Sequence, residues 1–371
     1  MADTSLPSSA ANSVNTVKMC QALAGLGSDV ELIVPVFGRV AASSQEIFEF
    51  YSVAGNFAIK QIQVPASAGS LYLYALKVVL YLIAVANPKD IFYGRSLRCF
   101  SFLSFSNLKN NSGIDIHGKI WEKSIAGRIM FDKLLRWKAL KVLTFNSPGM
   151  QTQLLNDFAK ERFADRVLLS AQNGASVPCE FPNFAPFKSG PNLNIGYIGS
   201  LYKGKGGDFV LNLAKQLPQY TFHVAGGNDK TIEALGEVPD NFISYGHIEH
   251  RYTYSLRAQC DVLLAPYQRT ITVNSGENIV DFMSPIKIFE YMSSQTAIIA
   301  SDLPVISCIL THEFDGLLIN PDDIDQWKSA IEQLALYPIN RKQLADNALK
   351  TFNEKYTWDK RAEKVFSLFF S

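Results

Sequence analysis

The chain lacks most of the features that settle a function early. Its five cysteines (Cys20, Cys99, Cys179, Cys260 and Cys308) are scattered, odd in number and form no CxxC pair. That pattern speaks against a disulfide framework and a structural zinc, and for a reducing compartment. No charge of one sign dominates: 35 Lys and Arg stand against 34 Asp and Glu, a formal net charge of +1. Overall electrostatics therefore recruit neither nucleic acid nor a strongly acidic partner. The opening residues MADTSLPSSAANS carry no basic region and no apolar run, so they do not read as a signal peptide. The most apolar stretch, LYLYALKVVLYLIAVA from Leu71 to Ala86, includes Lys77 and is short for a bilayer span. It reads as a buried helix, with a helix lying on a membrane surface as the alternative. Low-complexity tracts and repeats of about 20–50 residues are missing too.

What is present is a globular composition, 371 residues of which 47% are hydrophobic and 19% charged. That length allows roughly two domains of about 150 residues each. Short β-rich apolar runs alternate with helical stretches. VELIVPV, FAIKQIQV, DIFYG, GIDIHG and KVLTFN read as strands in the first half. NIGYIGS, TFHVAGG, FISYGH, DVLLAPY, AIIASD and GLLIN follow in the second. Such alternation gives βαβ units and parallel sheets. The proline- and aromatic-rich SVPCEFPNFAPFKSGPN (Ser176–Asn192) reads as the connection between two doubly wound domains. Two such domains facing each other across a cleft are expected, with ligands at the carboxyl ends of the strands. A doubly wound domain normally opens on a buried strand. Here a helix is predicted from near Ser13 to Gly25 and Gly27, with only MADTSL before it, so the first strand is expected to be cut short.

Two stretches of the second half carry chemistry. NIGYIGSLYKGKGGDFVLNLAKQL (Asn194–Leu217) ends a strand at Gly199, turns through glycines and lysines, and starts a helix near Gly207. Backbone N–H groups at that helix start, with Lys203 and Lys205, make an anion site. The spacing is neither GxGxxG nor GxxxxGK[ST], so a tight turn with solvated lysines is the competing reading. SPIKIFEYMSSQTAIIASDLP (Ser284–Pro304) follows the irregular loop GENIVDFM. Ser284 fits an N-cap and Pro285 the first helical position, and Lys287 and Glu290 share a face. Glu290 either accepts hydrogen bonds from a ribose diol or forms an ordinary helix pair with Lys287, worth about 0.3–0.5 kcal/mol.

With these residues in view, the chain resembles a known family. GYIGSLYKGKGG, YGHIEHRYTYSLRAQCDVLLAPY, SPIKIFEYMSSQTAIIASDLP and GLLINPDD, in that order, look like the donor domain of retaining GT-B glycosyltransferases. The resemblance is to the large group 1 (family 4 type), which includes sucrose-phosphate synthase-like enzymes and bacterial mannosyl- and glucosyltransferases. It is strong over Asn194–Asp323 and weaker before. It implies the GT-B fold: a Rossmann-like acceptor domain over residues 1–185, completed by 357–371 as a final helix crosses back, and a nucleotide-sugar domain over 186–356. By resemblance, Glu290 matches the last glutamate of E-x7-E, which holds the donor ribose. Lys205 matches the lysine of the G-R-L-x3-K-G turn, which contacts the diphosphate. The helix start formed by Ser284, Pro285, Ile286 and Lys287 would present backbone amides to that diphosphate, with Gly199, Ser200 and Lys203 beside it. Gly246, His247 and Ile248 would lie near the nucleobase. The loop Ser8–Ser13 would bring amides toward the phosphates, and His117 would sit close to the transferred sugar. Two positions depart from the pattern: Phe282 replaces the first glutamate of E-x7-E, with Asp281 beside it as a substitute through a shifted loop, and Ser200 replaces the arginine of G-R-L.

The implied reaction moves a hexose from a nucleotide-diphosphate sugar to an acceptor hydroxyl with retention. Lys205 and oriented amides would stabilise the leaving diphosphate, with no metal or other cofactor. His117 is either the residue orienting the sugar or a histidine satisfied at a strand end, and Asp115, two residues earlier, either orients it or stays on the surface. The acceptor is a sugar or a lipid-linked sugar, as in bacterial polysaccharide assembly. The basic stretch His117–Lys141 reads as a solvated helix face, or as a peripheral contact with the inner face of the plasma membrane by a cytoplasmic enzyme. No nucleic-acid partner is expected. A sugar-nucleotide epimerase or hydrolase on the same fold, and an inactive sugar-nucleotide binder, remain the alternatives.

Overall fold

The computed structural model describes residues 1–38, 40–122, 124–178, 182, 184, 187, 192–233, 236–272 and 276–370. The chain divides into two compact units: Met1–Asn173 with Trp358–Ser371, and Gly174–Thr357. The first boundary falls twelve residues before the one expected at 185/186. Ala175 is already tied to the second unit, by a bridge to Thr357 and an N–H bond to the Tyr356 carbonyl. Of the expected connection, 179–181, 183, 185–186 and 188–191, Cys179 among them, lie outside the described residues. Pro182, Phe184 and Phe187 lie on the second unit, through Ser255, Tyr245 and His223.

The first unit runs α1 (Ala11–Gly25), β1 (Glu31–Phe37), α2 (Ser44–Tyr51), β2 (Ala58–Val64), α3 (Ser70–Val85), β3 (Phe92–Gly94), α4 (Leu97–Leu103), β4 (Ser112–Ile116), α5 (Ile125–Leu134), β5 (Leu140–Phe145), α6 (Pro148–Asp157) and β6 (Val167–Ser170). Serines fix the helix starts: Ser43, in a capping box with Glu46, then Ser96, Ser124 and Ser147 each accept the N–H three residues on. All strand pairs are parallel, but the sheet is interrupted. β1 pairs with β2, and β3-β4-β5-β6 form a separate set. Among the described residues, the backbone bonds that reach across are those of Met1 and Ala2: Ala2 N–H donates to Ile33 O (3.2 Å), the Met1 ammonium to Tyr93 O (3.1 Å), and Arg95 N–H to Met1 O (3.0 Å). Below that bridge lies a cavity of about 710 Å³, lined by Leu32, Ile33, Leu82, Phe92, Tyr93 and Phe366 among others.

α3 corrects the reading of Leu71–Ala86 as a buried helix. Tyr74, Ala75, Val78, Val79 and Leu82 turn inward, while the opposite face is exposed. β6 is a strand that the sequence reading missed. It is a four-residue edge strand of partly exposed residues, too short and too unpatterned to announce itself.

The second unit runs β7 (Asn194–Ile198), α7 (Gly207–Gln216), β8 (Thr221–Ala225), α8 (Asp229–Glu233), β9 (Phe242–Ser244), α9 (His250–Ala258), β10 (Val262–Ala265), α10 (Ile286–Ser293), β11 (Ala297–Ser301), α11 (Pro304–Ser307), β12 (Leu317–Ile319), α12 (Ile324–Leu336) and α13 (Pro338–Lys355). Its parallel sheet has the order β12-β11-β10-β7-β8-β9, so the winding reverses between β7 and β10. Two apolar layers cover the sheet, one centred on Leu263, Phe289 and Ile298, the other on Tyr197, Phe222 and Trp327. The last helix, α14 (Trp358–Ser367), belongs to the first unit and packs against Met19 and Ala22 of α1 through Trp358, Ala362 and Val365.

Candidate functional site

Open α/β sheets bind ligands where the strand order reverses, at the carboxyl ends of the strands. In the second unit that point lies past Ile198 of β7 and Ala265 of β10, and the chain is built there for close approach. Gly199 N–H donates to Ala225 O at 2.9 Å, and Gly226 N–H to Gly246 O at 2.7 Å. Gly226 has φ +135°, and a Cβ on it would run into the Gly199 carbonyl, so only glycine fits. A Cβ on Gly199 would come within 2.5 Å of Lys287 Cε. The bare glycine lets that side chain reach the end of β7.

Lys287 is 7% exposed, and its Nζ lies 3.7 Å from the Tyr197 ring centre and 5.1 Å from that of Tyr267. No described residue hydrogen-bonds this ammonium. Lys205 Nζ approaches the same Tyr267 ring, at 5.2 Å. The turn that carries Lys205 is clamped by Tyr197, whose hydroxyl lies 2.6 Å from Ser200 O and 2.9 Å from Lys205 O and donates to one or the other. Burial lowers the Lys205 pKa. Burial, with Lys205 beside it, lowers that of Lys287 much further, against the pull of Glu290. Two like charges thus converge with aromatic faces around them, and no described anion bonds Lys287.

Glu290 lies one turn along α10. Its Oε1 is 3.3 Å from His250 Nε2 and its Oε2 4.0 Å from Arg257 Nη1. Burial raises its pKa, but the His250 bond and the charges of Arg257, His250 and Lys287 outweigh this and keep the carboxyl below its usual range. Arg257 is buried, and its Nε and Nη1 have no hydrogen-bond partner among the described residues. Lys287 and Glu290 make no ion pair with each other within 4 Å, so the ordinary helix-pair reading falls away.

Several expected positions are not where the sequence put them. Ser284 does not cap α10: the helix starts at Ile286, Pro285 occupies the N-cap, and the buried Ser284 hydroxyl has no described partner. Ile286 N–H turns back to Ser284 O (3.0 Å), so that amide is engaged. Lys287 brings its side chain to the strand end, where its Cε and Nζ lie against Gly199. Lys203 and Ser200 are exposed, and Ser200 Oγ accepts Tyr202 N–H at 3.3 Å. His247 is exposed on the loop after β9, while Ile248 packs on the core. Asp281 is exposed and Phe282 buried at 5%, so this structure has no shifted loop that puts Asp281 in the glutamate's place. Ser13 sits inside the first turn of α1, fully buried, with its N–H on Ala10 O and its hydroxyl 2.6 Å from that of Thr4. It therefore turns neither its N–H nor its hydroxyl toward a phosphate. Tyr197, Gly226, His250, Arg257 and Tyr267 were not singled out from sequence. The GG pair after β8 was the one signal that could have flagged the strand-end glycines.

In the first unit, β4 carries Asp115 and ends just before His117. His117 Nε2 lies 2.7 Å from Asp115 Oδ2. Thr144 Oγ1 donates to Asp115 Oδ1 at 2.8 Å, and Arg361 Nη2 donates to both oxygens at 2.9 and 3.1 Å. Arg361 comes from α14 and also donates its Nε to Ala171 O and Gln172 O. Burial raises the Asp115 pKa, but Arg361, His117 and Arg95 overturn this and hold it far below the carboxylate range. Burial lowers the His117 pKa to about 4, only partly opposed by Asp115. The imidazole is therefore neutral near pH 7. With its Nε2 proton given to Asp115, its Nδ1 is left as an acceptor. Asp115 is thus a buried orienting carboxylate and not a surface one.

Residues 192–336 match the family model described as "Glycosyl transferases group 1". No curated protein matches the chain. Among solved structures, sucrose-phosphate synthase from Thermosynechococcus elongatus is 17% identical with a TM-score of 0.68, over 99% of this chain and 95% of that one. Anabaena HepE in complex with UDP-glucose is 15% identical, TM-score 0.67, over 99% and 97%. A glycosyltransferase from Rickettsia africae is 13% identical, TM-score 0.67, over 96% and 93%. The chain has the GT-B fold.

Proposed function

We propose that this chain, whose residues 192–336 match the group 1 glycosyltransferase family model, transfers a hexose from a nucleotide-diphosphate sugar to an acceptor hydroxyl with retention. One observation carries the reading: the ammonium groups of Lys205 and Lys287 converge over Tyr267 at the strand-order reversal, and no described residue hydrogen-bonds Lys287. A diphosphate supplies the missing negative charge. Glu290, held ionised beside Arg257 and His250, accepts the ribose hydroxyls. In the reaction the bond from the anomeric carbon to the phosphate oxygen breaks and the acceptor oxygen bonds that carbon on the same face. The acceptor proton passes to the departing diphosphate. Charge grows on the leaving group, and the two lysines stabilise it there more than in the ground state. Neutral His117, held by Asp115, takes a sugar hydroxyl on Nδ1.

UDP-glucose, the ligand of the HepE complex, is the first donor to try, in a thermal-shift screen beside GDP- and ADP-sugars. A donor that binds the folded chain raises its melting temperature by mass action. Glu290→Gln is expected to weaken the stabilising nucleotide about 5- to 150-fold in calorimetry, since a buried hydroxyl left unpaired costs about 1–3 kcal/mol. Unchanged affinity removes Glu290 from the ribose. His117→Ala is expected to lower kcat by roughly 10–100-fold with nucleotide affinity intact, and equal loss of both would take His117 out of that role. A second reading, an inactive sugar-nucleotide binder, is favoured by Phe282, buried where the family pattern has a glutamate. It predicts nucleotide binding without acceptor-dependent release of nucleoside diphosphate.

A further inference from the structure

Helix α3 exposes the wrong face for a helix in water. Leu73, Leu76, Leu80 and Ile83 are 37%, 43%, 58% and 55% exposed, and their spacing puts them in one stripe. A solvent-facing stripe is normally polar. Here one cation, Lys77, interrupts it, anchored through Nζ to Gln63 O at 2.9 Å. The apolar surface continues onto the next helices of the same layer. Tyr72 of α3 stands 6.5 Å from Phe102 of α4, and beyond it Phe105, Ile125 and Ile129 are 66%, 84% and 64% exposed.

Cations accompany this surface. Lys133 Nζ lies 3.5 Å over the Phe105 ring, and Arg98 lies 5.4 Å over Tyr72 while also pairing with Asp3. Residues 70–141 carry twelve Lys and Arg against four Asp and Glu, in a chain whose total is +1. The balance of the chain is therefore acidic, and the positive charge is concentrated in the segment that holds the apolar face. A second copy of this chain on the same face would bring like charge to like charge. No helix among the described residues is long and apolar enough to cross a membrane.

We propose that the α3–α4–α5 layer of the first unit docks onto an anionic lipid surface. α3 lies flat with its leucines at the acyl boundary, and the lysines and arginines stand among the headgroups. The proposal is independent of the reaction above. The test is co-sedimentation of the full chain with phosphatidylcholine vesicles, with and without phosphatidylglycerol. The wild type is expected to pellet with the phosphatidylglycerol vesicles, to stay in solution with phosphatidylcholine alone, and to be released by high salt. Leu76→Glu with Leu80→Glu is expected to weaken binding by on the order of tenfold per leucine, with the melting temperature unchanged. Should that pair unfold the helix, Leu80→Gln alone reads the same loss. Absence of binding to the anionic vesicles, or a folded variant that binds as the wild type does, overturns the proposal. So does a wild-type dimer in solution that the double variant turns into a monomer.

Discussion

Lys287→Met is expected to make the free protein more stable and its nucleotide binding much worse. In the free chain the Lys287 ammonium is buried, without a described hydrogen-bond partner, and close to Lys205. A methionine keeps the stem over Tyr197 and removes the charge. An unsatisfied buried polar group costs about 1–3 kcal/mol, so the melting temperature should rise by about 2–10 °C. Hydrogen bonds from an ammonium to phosphate contribute about 1.5–3 kcal/mol, so the dissociation constant should increase about 10- to 150-fold. The pH dependence has a definite sign. The folded-state pKa of Lys287 is lowered, so between it and the unfolded value the unfolded chain binds more protons. Stability of the free wild type therefore rises with pH through that window and is lost as pH falls. The variant loses this slope. Nucleotide affinity of the wild type runs the other way, weakening as pH rises and Lys287 loses its proton. Scanning fluorimetry and calorimetry at several pH values read both trends. A less stable variant with unchanged affinity would mean that the lysine serves packing and no anion binds beside it.

Asp115→Asn is expected to produce the largest loss of stability. Asp115 is the counter-charge for Arg361, which is 3% exposed, and lies near the half-buried Arg95, whose buried Nη1 has no described partner. Breaking a buried pair from one side leaves the other charge uncompensated and costs about 3–5 kcal/mol. The urea midpoint should fall accordingly. The double variant Asp115→Asn/Arg361→Met should recover much of it, because both charges are then gone. The sign with pH follows from the low folded-state pKa of Asp115. Its contribution is complete above the unfolded carboxylate range and is lost as pH falls toward the folded value, so the wild type should lose its advantage over the variant in acid. An equally stable single variant would show that the Arg361 contact contributes nothing net.

The strands were legible where apolar residues ran together. All eleven segments read as strands are strands, because buried parallel strands give short continuous apolar runs bounded by Gly, Pro or Asp. β6 escaped because it is an exposed edge. The outer face of α3 escaped because an apolar stretch written as one string does not say which of its residues face a core. In the site, local chemistry was legible and long-range chemistry was not. Gly199, Lys205, Lys287 and Glu290 sit on turns and a helix that the sequence announces. Tyr267, Arg257 and His250 enter from other elements, and the meeting of Arg361 with Asp115 spans 246 positions. The mistaken cap at Ser284 has a local cause. A Ser-Pro pair fits an N-cap and first helical residue, yet here Pro285 has φ −80° and ψ +78°, and the helix begins one residue later.

The interruption between β1 and β3 also bears on how the first unit holds together. A continuous parallel sheet shares its backbone bonds across its whole width and tends to come apart all at once. Among the described residues, the pair β1–β2 joins the four-stranded part along the sheet through the peptides of Met1 and Ala2 alone. Such a seam leaves little backbone bonding between the two parts, so their union falls on the helices that cross it, where Tyr72 of α3 meets Phe102 of α4.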